Sequence, residues 1–111
     1  PEISFMPEPA WSYSNRWLTA FTINTACSSA TPQDLITALA EENIEARPVW
    51  KPMHLQPVFE SAPYYPHAEG TDISKNLFQS GICVPSGSNL TDEEQARVIS
   101  ILQRVLNRSQ K

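Results

Sequence analysis

The chain has 111 residues, a length that fits one domain with a real hydrophobic core. A hydrophobic content of 41% and a charged content of 18% are typical of a globular rather than a disordered protein. The formal net charge of -4 argues against a nucleic-acid or anionic-membrane partner, since both require a basic face. No apolar run approaches the ~20 residues of a membrane span. No signal peptide is visible and the first residue is not Met, so we expect a cytoplasmic protein with an upstream part missing.

The first half of the chain predicts an arm, a strand, a helix and a second strand. Residues 1–14 carry three prolines and no period, which is typical of an arm or linker from a missing N-terminal domain; residues 15–111 form the domain itself. Residues 17–24 alternate in the manner of an inner strand, and Thr31 begins a helix with an apolar stripe at Leu35, Ile36, Leu39 and Ala40. Asn43 is suited to a left-handed stop, and residues 44–49 predict a short strand.

The second half predicts an aromatic loop, a helix, a strand and a long helix. Residues 57–70 favour an irregular loop with one helical turn near Phe59. Thr71 caps a short helix that Gly81 ends, and residues 82–84 form a strand. Thr91 and Glu94 form a capping box before the last helix. Its predicted buried stripe is Val98, Ile99, Leu102, Val105 and Leu106. The order predicts an α+β domain: a small antiparallel or mixed sheet of about three strands, with helices packed on one face.

Residues 47–57, here called the proline-rich segment, are the most informative stretch. They hold three prolines, one tryptophan, three potential cations and no acid. Prolines at these spacings exclude a helix and a central strand, so the segment is a stiff loop that presents Trp50, Lys51 and His54. Each side chain allows two interpretations. Trp50 is a pocket wall or a packing anchor, Lys51 a phosphate ligand or a solvated cation, and His54 a ligand contact or a fixture of the loop backbone.

Other residues give weaker signals of chemistry. Arg16, beside Asn15, is either a bidentate ligand of a carboxylate or diphosphate or an ordinary surface arginine. Residues 86–88 could offer backbone amides to an anion or form an ordinary turn. We find no catalytic set and no metal site, and Cys27 and Cys83 are expected to be free, mostly buried thiols. Taken from the residues alone, the domain contributes to a site without completing it.

Three runs of residues together resemble a known family. They are Ser14-Asn15-Arg16-Trp17-Leu18, Arg47-Pro48-Val49-Trp50-Lys51-Pro52-Met53-His54-Leu55-Gln56-Pro57-Val58-Phe59 and Cys83-Val84-Pro85-Ser86-Gly87-Ser88-Asn89-Leu90-Thr91. In this order they resemble the C-terminal end of DegT/DnrJ/StrS-type sugar aminotransferases, which are pyridoxal-phosphate enzymes of fold type I. The middle run is most similar to the subgroup that acts on UDP-linked 4-keto-6-deoxy sugars. The resemblance spans the chain from about Ser14 to Leu106.

The resemblance implies the small C-terminal domain of a longer, homodimeric enzyme. In this family the cofactor-bearing lysine belongs to the N-terminal domain, so no catalytic residue is assigned here and the chain alone is expected to be inactive. The matching positions imply substrate-binding roles for Asn15, Arg16, Trp50, Lys51 and His54, and transfer of an amino group, from glutamate, to a nucleotide sugar.

Two other readings stay open: a binding module for a small anionic ligand and a dimerisation domain, neither of them catalytic. A domain cut from a large partner should also expose apolar residues among Trp11, Tyr13, Trp17, Tyr64 and Tyr65, and should associate with itself.

Overall fold

The computed structural model describes residues 2–15, 17–24 and 26–108. Within these residues four strands form one antiparallel sheet, in the spatial order β1-β2-β4-β3. The strands are β1 (Ile3–Phe5), β2 (Thr19–Ile23), β3 (Arg47–Pro48) and β4 (Gly81–Val84). The helices are α1 (Pro32–Ala40), α2 (Ile73–Ser80) and α3 (Asp92–Arg108). The α+β fold is therefore confirmed, with one more strand than the sequence predicts.

The core lies between one face of the sheet and two helices. Side chains alternate along a strand, so Phe21 and Ile23 of β2 are buried while Thr22 between them faces the other side. Ile82, in β4, is 0% exposed beside them, and Leu35 and Leu39 of α1 are equally buried. The α3 residues of this core are Val98, Ile101 and Leu106. Helix α2 contacts β2 and β4 but adds no residue to the core formed by the described part of the chain.

Local capping fixes where the helices begin and end. The Thr31 hydroxyl accepts a hydrogen bond from the Asp34 N–H, and the Asp34 carboxylate accepts one from the Thr31 N–H in return. The predicted box at α3 is also present, with both reciprocal bonds between Thr91 and Glu94. Asn43 has a φ of 57°, as its place after α1 predicts. These ends set the two helices that cover the sheet.

The additional strand comes from the stretch that the sequence predicts as an arm. Ile3 pairs with Ile23, and Phe5 pairs with Phe21, with the two phenyl centroids 5.7 Å apart. Three residues are too few to give a period in the sequence. Only the register against β2 shows on which face of the sheet Ile3 and Phe5 lie. The stretch therefore begins on the edge of the sheet, and Pro7 and Pro9 follow the strand.

Several element ends also differ from the predictions. The second predicted strand shortens to Arg47–Pro48, because a proline has no N–H to extend a ladder and is tolerated at this sheet edge. Helix α2 is capped by Asp72 rather than Thr71, whose hydroxyl donates to the Ala68 carbonyl instead.

Two predictions about burial are wrong. Ile99 is exposed, and Ile101 is buried instead, because Ile101 lies three residues after the buried Val98 and so shares its face of the helix, whereas Ile99 does not. The other concerns the thiols: both cysteines are free, as predicted, but Cys27 is exposed because it lies in a surface turn after β2. Burial raises the pKa of the half-buried Cys83 thiol.

Candidate functional site

The proline-rich segment is attached to the rest of the fold at two points, Val49 and His54. Trp50 and Lys51 lie between them. At one end the Val49 N–H donates to the Gly81 carbonyl of β4 at 3.4 Å, which continues the edge pairing past β3. Beyond Pro52 the chain makes two single-turn 3-10 helices, Met53–Leu55 and Pro57–Phe59. The confirmed turn at Phe59 is the second of these. A stiff backbone of this kind presents its side chains in one arrangement.

Two exposed indoles stand together at this segment. The ring centroids of Trp17 and Trp50 are 6.4 Å apart and the ring planes are inclined by 34°. Both side chains are largely exposed, at 71% and 68%. They line a hollow of about 970 Å³, here called the indole hollow, which Lys51 and Ser86 also line. Arg47, at the same hollow, is paired with Glu45. The hollow thus combines apolar ring faces with cations and with the carboxylates of Glu45 and Glu94.

The neighbouring polar residues hold the backbone beside the indole hollow. The Asn15 carboxamide oxygen accepts a hydrogen bond from the Trp17 N–H at 3.1 Å, which fixes the approach to β2. The Ser86 hydroxyl oxygen accepts from the Thr19 N–H at 2.6 Å and donates to the Val84 carbonyl at 2.8 Å. The predicted residue Arg16 lies outside the described residues.

His54 does not line the indole hollow and belongs to a separate cluster. Its Nε2 lies 2.7 Å from a carboxylate oxygen of Asp72, and its ring stacks on Tyr64 with centroids 3.8 Å apart and planes inclined by 16°. The Tyr64 hydroxyl donates to the other Asp72 oxygen at 3.1 Å. We call these three residues the clasp. The clasp joins the proline-rich segment, the aromatic loop and the start of α2.

Asp72 is the centre of the clasp and also the cap of α2. The Lys75 N–H donates to its carboxylate at 2.9 Å, and the Ser74 hydroxyl donates at 3.2 Å. Desolvation acts to raise the pKa of Asp72, but the hydrogen bonds from the Lys75 N–H, His54, Tyr64 and Ser74 outweigh it and lower the pKa to about 2. The carboxylate is therefore charged throughout the physiological range.

Sequence reasoning placed the predicted residues at one site, and the structure divides the described ones between two. Trp50 and Lys51 are brought together at the indole hollow, with Asn15 behind Trp17, whereas His54 belongs to the clasp. Asp72 was missed. The available signal was its place before Ile73, where an aspartate is as good a helix cap as a threonine.

Large apolar side chains are exposed at the two clusters and elsewhere on the described part of the chain. A second hollow of about 800 Å³, lined by Phe5, Met6, Met53 and Leu77, lies on the other side of Trp50. The aromatic residues predicted to be exposed are so: Trp11 at 87%, Tyr13 at 91%, Trp17 at 71%, Tyr64 at 41% and Tyr65 at 84%. Exposed aromatic side chains in this number are typical of a protein that meets another protein surface.

The described residues form neither a cluster of metal-ligating side chains nor a helix that could span a membrane. Across residues 2–15, 17–24 and 26–108, no three His, Cys, Asp or Glu side chains are grouped as a metal ion would require. In that same part of the chain, no helix has both the length and the apolar content needed to cross a bilayer.

Comparison with known proteins identifies the family. Residues 1–103 match the DegT/DnrJ/EryC1/StrS aminotransferase family. The chain is 52% identical over 100 residues to EpsN of Bacillus subtilis (strain 168), named as a putative pyridoxal phosphate-dependent aminotransferase. That match covers 90% of this chain and 25% of EpsN.

Solved structures share the fold. A DegT DnrJ EryC1 StrS aminotransferase from Brucella abortus superposes with a TM-score of 0.71 at 20% identity, over 95% of this chain and 26% of that one. The aminotransferase TlmJ from Streptoalloteichus hindustanus gives 0.73 at 15% identity, over 96% and 27%. This chain thus spans about a quarter of the length of these relatives. The chain belongs to the DegT/DnrJ/EryC1/StrS aminotransferase family.

Proposed function

We propose that this chain is the C-terminal domain of a pyridoxal-phosphate-dependent aminotransferase that acts on a nucleotide sugar. The reaction transfers an amino group from glutamate to the 4-keto carbon of a UDP-linked 4-keto-6-deoxy sugar. The ketone oxygen is replaced by an amine while the amine of glutamate is replaced by a ketone, so the exchange needs no external oxidant or reductant. Membership of the family supports the reaction class, and the name of EpsN supports the cofactor.

The cofactor belongs, in this proposal, to a part of the protein outside this chain. A pyridoxal-phosphate site needs a lysine for attachment and an acid or arginine at the pyridine nitrogen, and the bound cofactor supplies the electron sink for amino transfer. The described lysines, Lys51 and Lys75, are both exposed on the surface, one on the proline-rich segment and one on α2. Such residues do not fit the attachment site, so we assign no catalytic lysine among the described residues.

The observation that carries the proposal is the indole hollow. Two indoles with exposed faces offer a surface on which a planar base or a sugar ring can pack. Lys51 lies beside them and can pair with a phosphate as a point charge. A nucleoside diphosphate sugar has this combination of a flat ring, negative charge and a sugar. We therefore assign substrate binding to Trp50 and Lys51, and extend it to Arg16 by its place beside Trp17 in the sequence.

His54 and Asn15 support the site rather than contact the ligand. The imidazole already faces Asp72 and Tyr64, and the Asn15 carboxamide already accepts the Trp17 N–H. The other exposed aromatic residues, Trp11, Tyr13 and Tyr65, form the proposed contact with the remainder of the protein and with a second subunit. Light scattering of the full-length protein should then report a dimer, and a monomer at high concentration would contradict that part of the proposal.

The test is an activity assay of the full-length protein. Purified enzyme is incubated with pyridoxal phosphate, glutamate and three sets of sugars: UDP-linked 4-keto-6-deoxy sugars, the same UDP sugars with the ketone reduced to an alcohol, and the keto sugars without a nucleotide. We expect a 4-amino sugar from the ketones and nothing from the alcohols. Conversion of keto sugars without a nucleotide at equal efficiency would refute a role for the indole hollow in nucleotide recognition. Absence of amino sugar with every ketone would refute the proposed substrate class.

A further inference from the structure

The clasp stands close to the substrate-binding segment without being part of the indole hollow. His54 comes from the proline-rich segment, Tyr64 from the aromatic loop and Asp72 from the start of α2, so residues up to 18 positions apart meet. The side chains of His54 and Asp72 are only 17% and 24% exposed. A half-buried, charge-assisted contact of 2.7 Å is stronger and more directional than a surface ion pair.

Stacking and hydrogen bonding act on the same imidazole. The Tyr64 ring covers one face of His54 at 3.8 Å, and its hydroxyl reaches Asp72. The position of the ring is therefore fixed in its plane by the carboxylate and across its plane by the tyrosine. Networks in which each member has a partner hold one arrangement more firmly than isolated pairs do.

The backbone transmits this position to Trp50 and Lys51. Only four residues separate Val49, which is attached to β4, from His54. One of them is Pro52, with a φ of -57°, and its carbonyl accepts the Leu55 N–H at 3.1 Å. The Gln56 carboxamide also donates to the Lys51 carbonyl at 3.4 Å. A short stiff segment attached at two points has little freedom to move Trp50 and Lys51 independently of His54.

We infer that Asp72 and Tyr64 are positioning residues for the proposed reaction, because through His54 they set where Trp50 and Lys51 stand at the indole hollow. The inference rests on the proposed function for its substrate. Its structural half, the link between the clasp and the proline-rich segment, does not rest on the proposed function. Displacements of about 1 Å at a substrate-positioning group can cost ~10²-fold in rate, so a partial release of the segment is measurable.

Replacement of Asp72 can separate the clasp from the helix cap. Serine is as good a cap as aspartate, so Asp72→Ser retains an acceptor for the Lys75 N–H but is too short to reach His54 and Tyr64. Asp72→Asn keeps the reach and loses the charge, and serves as the conservative variant. Asp92→Ser is the matched control, since it makes the same replacement of a carboxylate at the start of a helix, α3, but at an exposed position outside the clasp.

The structural half is tested by hydrogen exchange with peptide resolution in the full-length protein. In Asp72→Ser we expect amide exchange of residues 49–56 to be about tenfold faster, since Leu55 and Gln56 donate in the turn that His54 anchors. Asp72→Asn should lie between this variant and the wild type, and Asp92→Ser should match the wild type. Unchanged exchange over residues 49–56 in Asp72→Ser would overturn the link between the clasp and the segment.

The functional half is tested by steady-state kinetics with the UDP-linked 4-keto sugar. We expect Asp72→Ser to raise KM about tenfold with a smaller change in kcat, and the asparagine variant to recover part of the loss. A general loss of folded enzyme would instead lower kcat alone, and this result would overturn the positioning role of Asp72. Faster amide exchange with an unchanged KM would also overturn it. If the wild-type protein converts no UDP sugar, the proposed function fails and the substrate role of the clasp fails with it. The exchange experiment still decides the structural link.

Discussion

Gly81 is the glycine whose replacement should lower the stability most, because the surrounding atoms leave no space for a side chain. A Cβ at Gly81 would lie 2.5 Å from the Leu77 carbonyl oxygen and 2.8 and 2.9 Å from the two methyl carbons of Val49. The first of these is backbone at the end of α2 and cannot rotate away. The φ of Gly81 is -95°, so the backbone itself would accept an alanine and the whole effect comes from space.

The expected loss can be estimated from these contacts. Overpacking costs about 1–3 kcal/mol, and a contact with backbone belongs to the upper part of that range. The reduced freedom of the unfolded chain returns about 0.4–1 kcal/mol for Gly→Ala. The free energy of unfolding should therefore fall by about 2 kcal/mol. Val49 attaches the proline-rich segment to β4, and a clash with its side chain should weaken that attachment. Amide hydrogen exchange of residues 49–56 should therefore also become faster.

Urea denaturation of Gly81→Ala beside Gly87→Ala measures this effect. At Gly87 the nearest atom to a new Cβ is the Asn89 carboxamide oxygen at 2.6 Å, which is the end of a flexible exposed side chain. That control should stay within about 0.5 kcal/mol of the wild type. Equal stability of the two variants would refute the reasoning, because it would mean that α2 and Val49 can move aside without a loss of stability.

Three further outcomes are expected. Leu35→Ala should lower the free energy of unfolding by about 2–5 kcal/mol in the same denaturation experiment, because this fully buried side chain leaves a cavity; a loss below 1 kcal/mol would contradict the described core. The pKa of Asp72 is lowered from 3.8 to about 2, so its carboxylate stabilises the fold fully above about pH 4 and loses that effect as the pH falls through about 2. The wild type should therefore lose more stability than Asp72→Ser across that window, and parallel curves would refute it. Lys51→Ala should raise KM for the UDP sugar by about tenfold or more, which corresponds to the loss of one charge-assisted contact, while Lys75→Ala should leave KM unchanged. Equal KM values for the two variants would show that Lys51 is not part of the site.

Local signals in the sequence were sufficient for the elements that depend on neighbours along the chain. The capping boxes at Thr31 and Thr91, the left-handed Asn43 and the helical turn at Phe59 all follow from short-range chemistry. The alternation of β2 is long enough to mark an inner strand. These features are determined within three or four residues, which is the range over which a single sequence is informative.

Features that depend on distant partners were not available from the sequence. Strand β1 is defined only by its pairing with β2, and the burial of Ile101 rather than Ile99 depends on how α3 sits against α1. Asp72 and Thr71 are comparable caps by type. What favours Asp72 in this structure is a set of partners that includes His54, 18 positions earlier in the chain.

The candidate site shows the same division. The proline content of residues 47–57 predicts a stiff segment that displays Trp50 and Lys51, and this part needs no tertiary information. The meeting of Trp50 with Trp17, and the turning of His54 toward Asp72, arise from contacts across the fold. Both alternatives for His54 were compatible with the sequence, and its burial against Tyr64 now favours the role of fixing the loop.

Transfer of isotopically labelled nitrogen from glutamate to a UDP-linked 4-keto-6-deoxy sugar is the most direct test of the proposed function. The full-length protein with pyridoxal phosphate should give a 4-amino sugar that carries the label, and Lys51→Ala should reduce the yield at low sugar concentration while leaving it unchanged at saturation. Unlabelled or absent amino sugar would contradict the account. So would a label transferred equally well by the 111-residue chain alone, because this chain is proposed to lack the lysine that holds the cofactor.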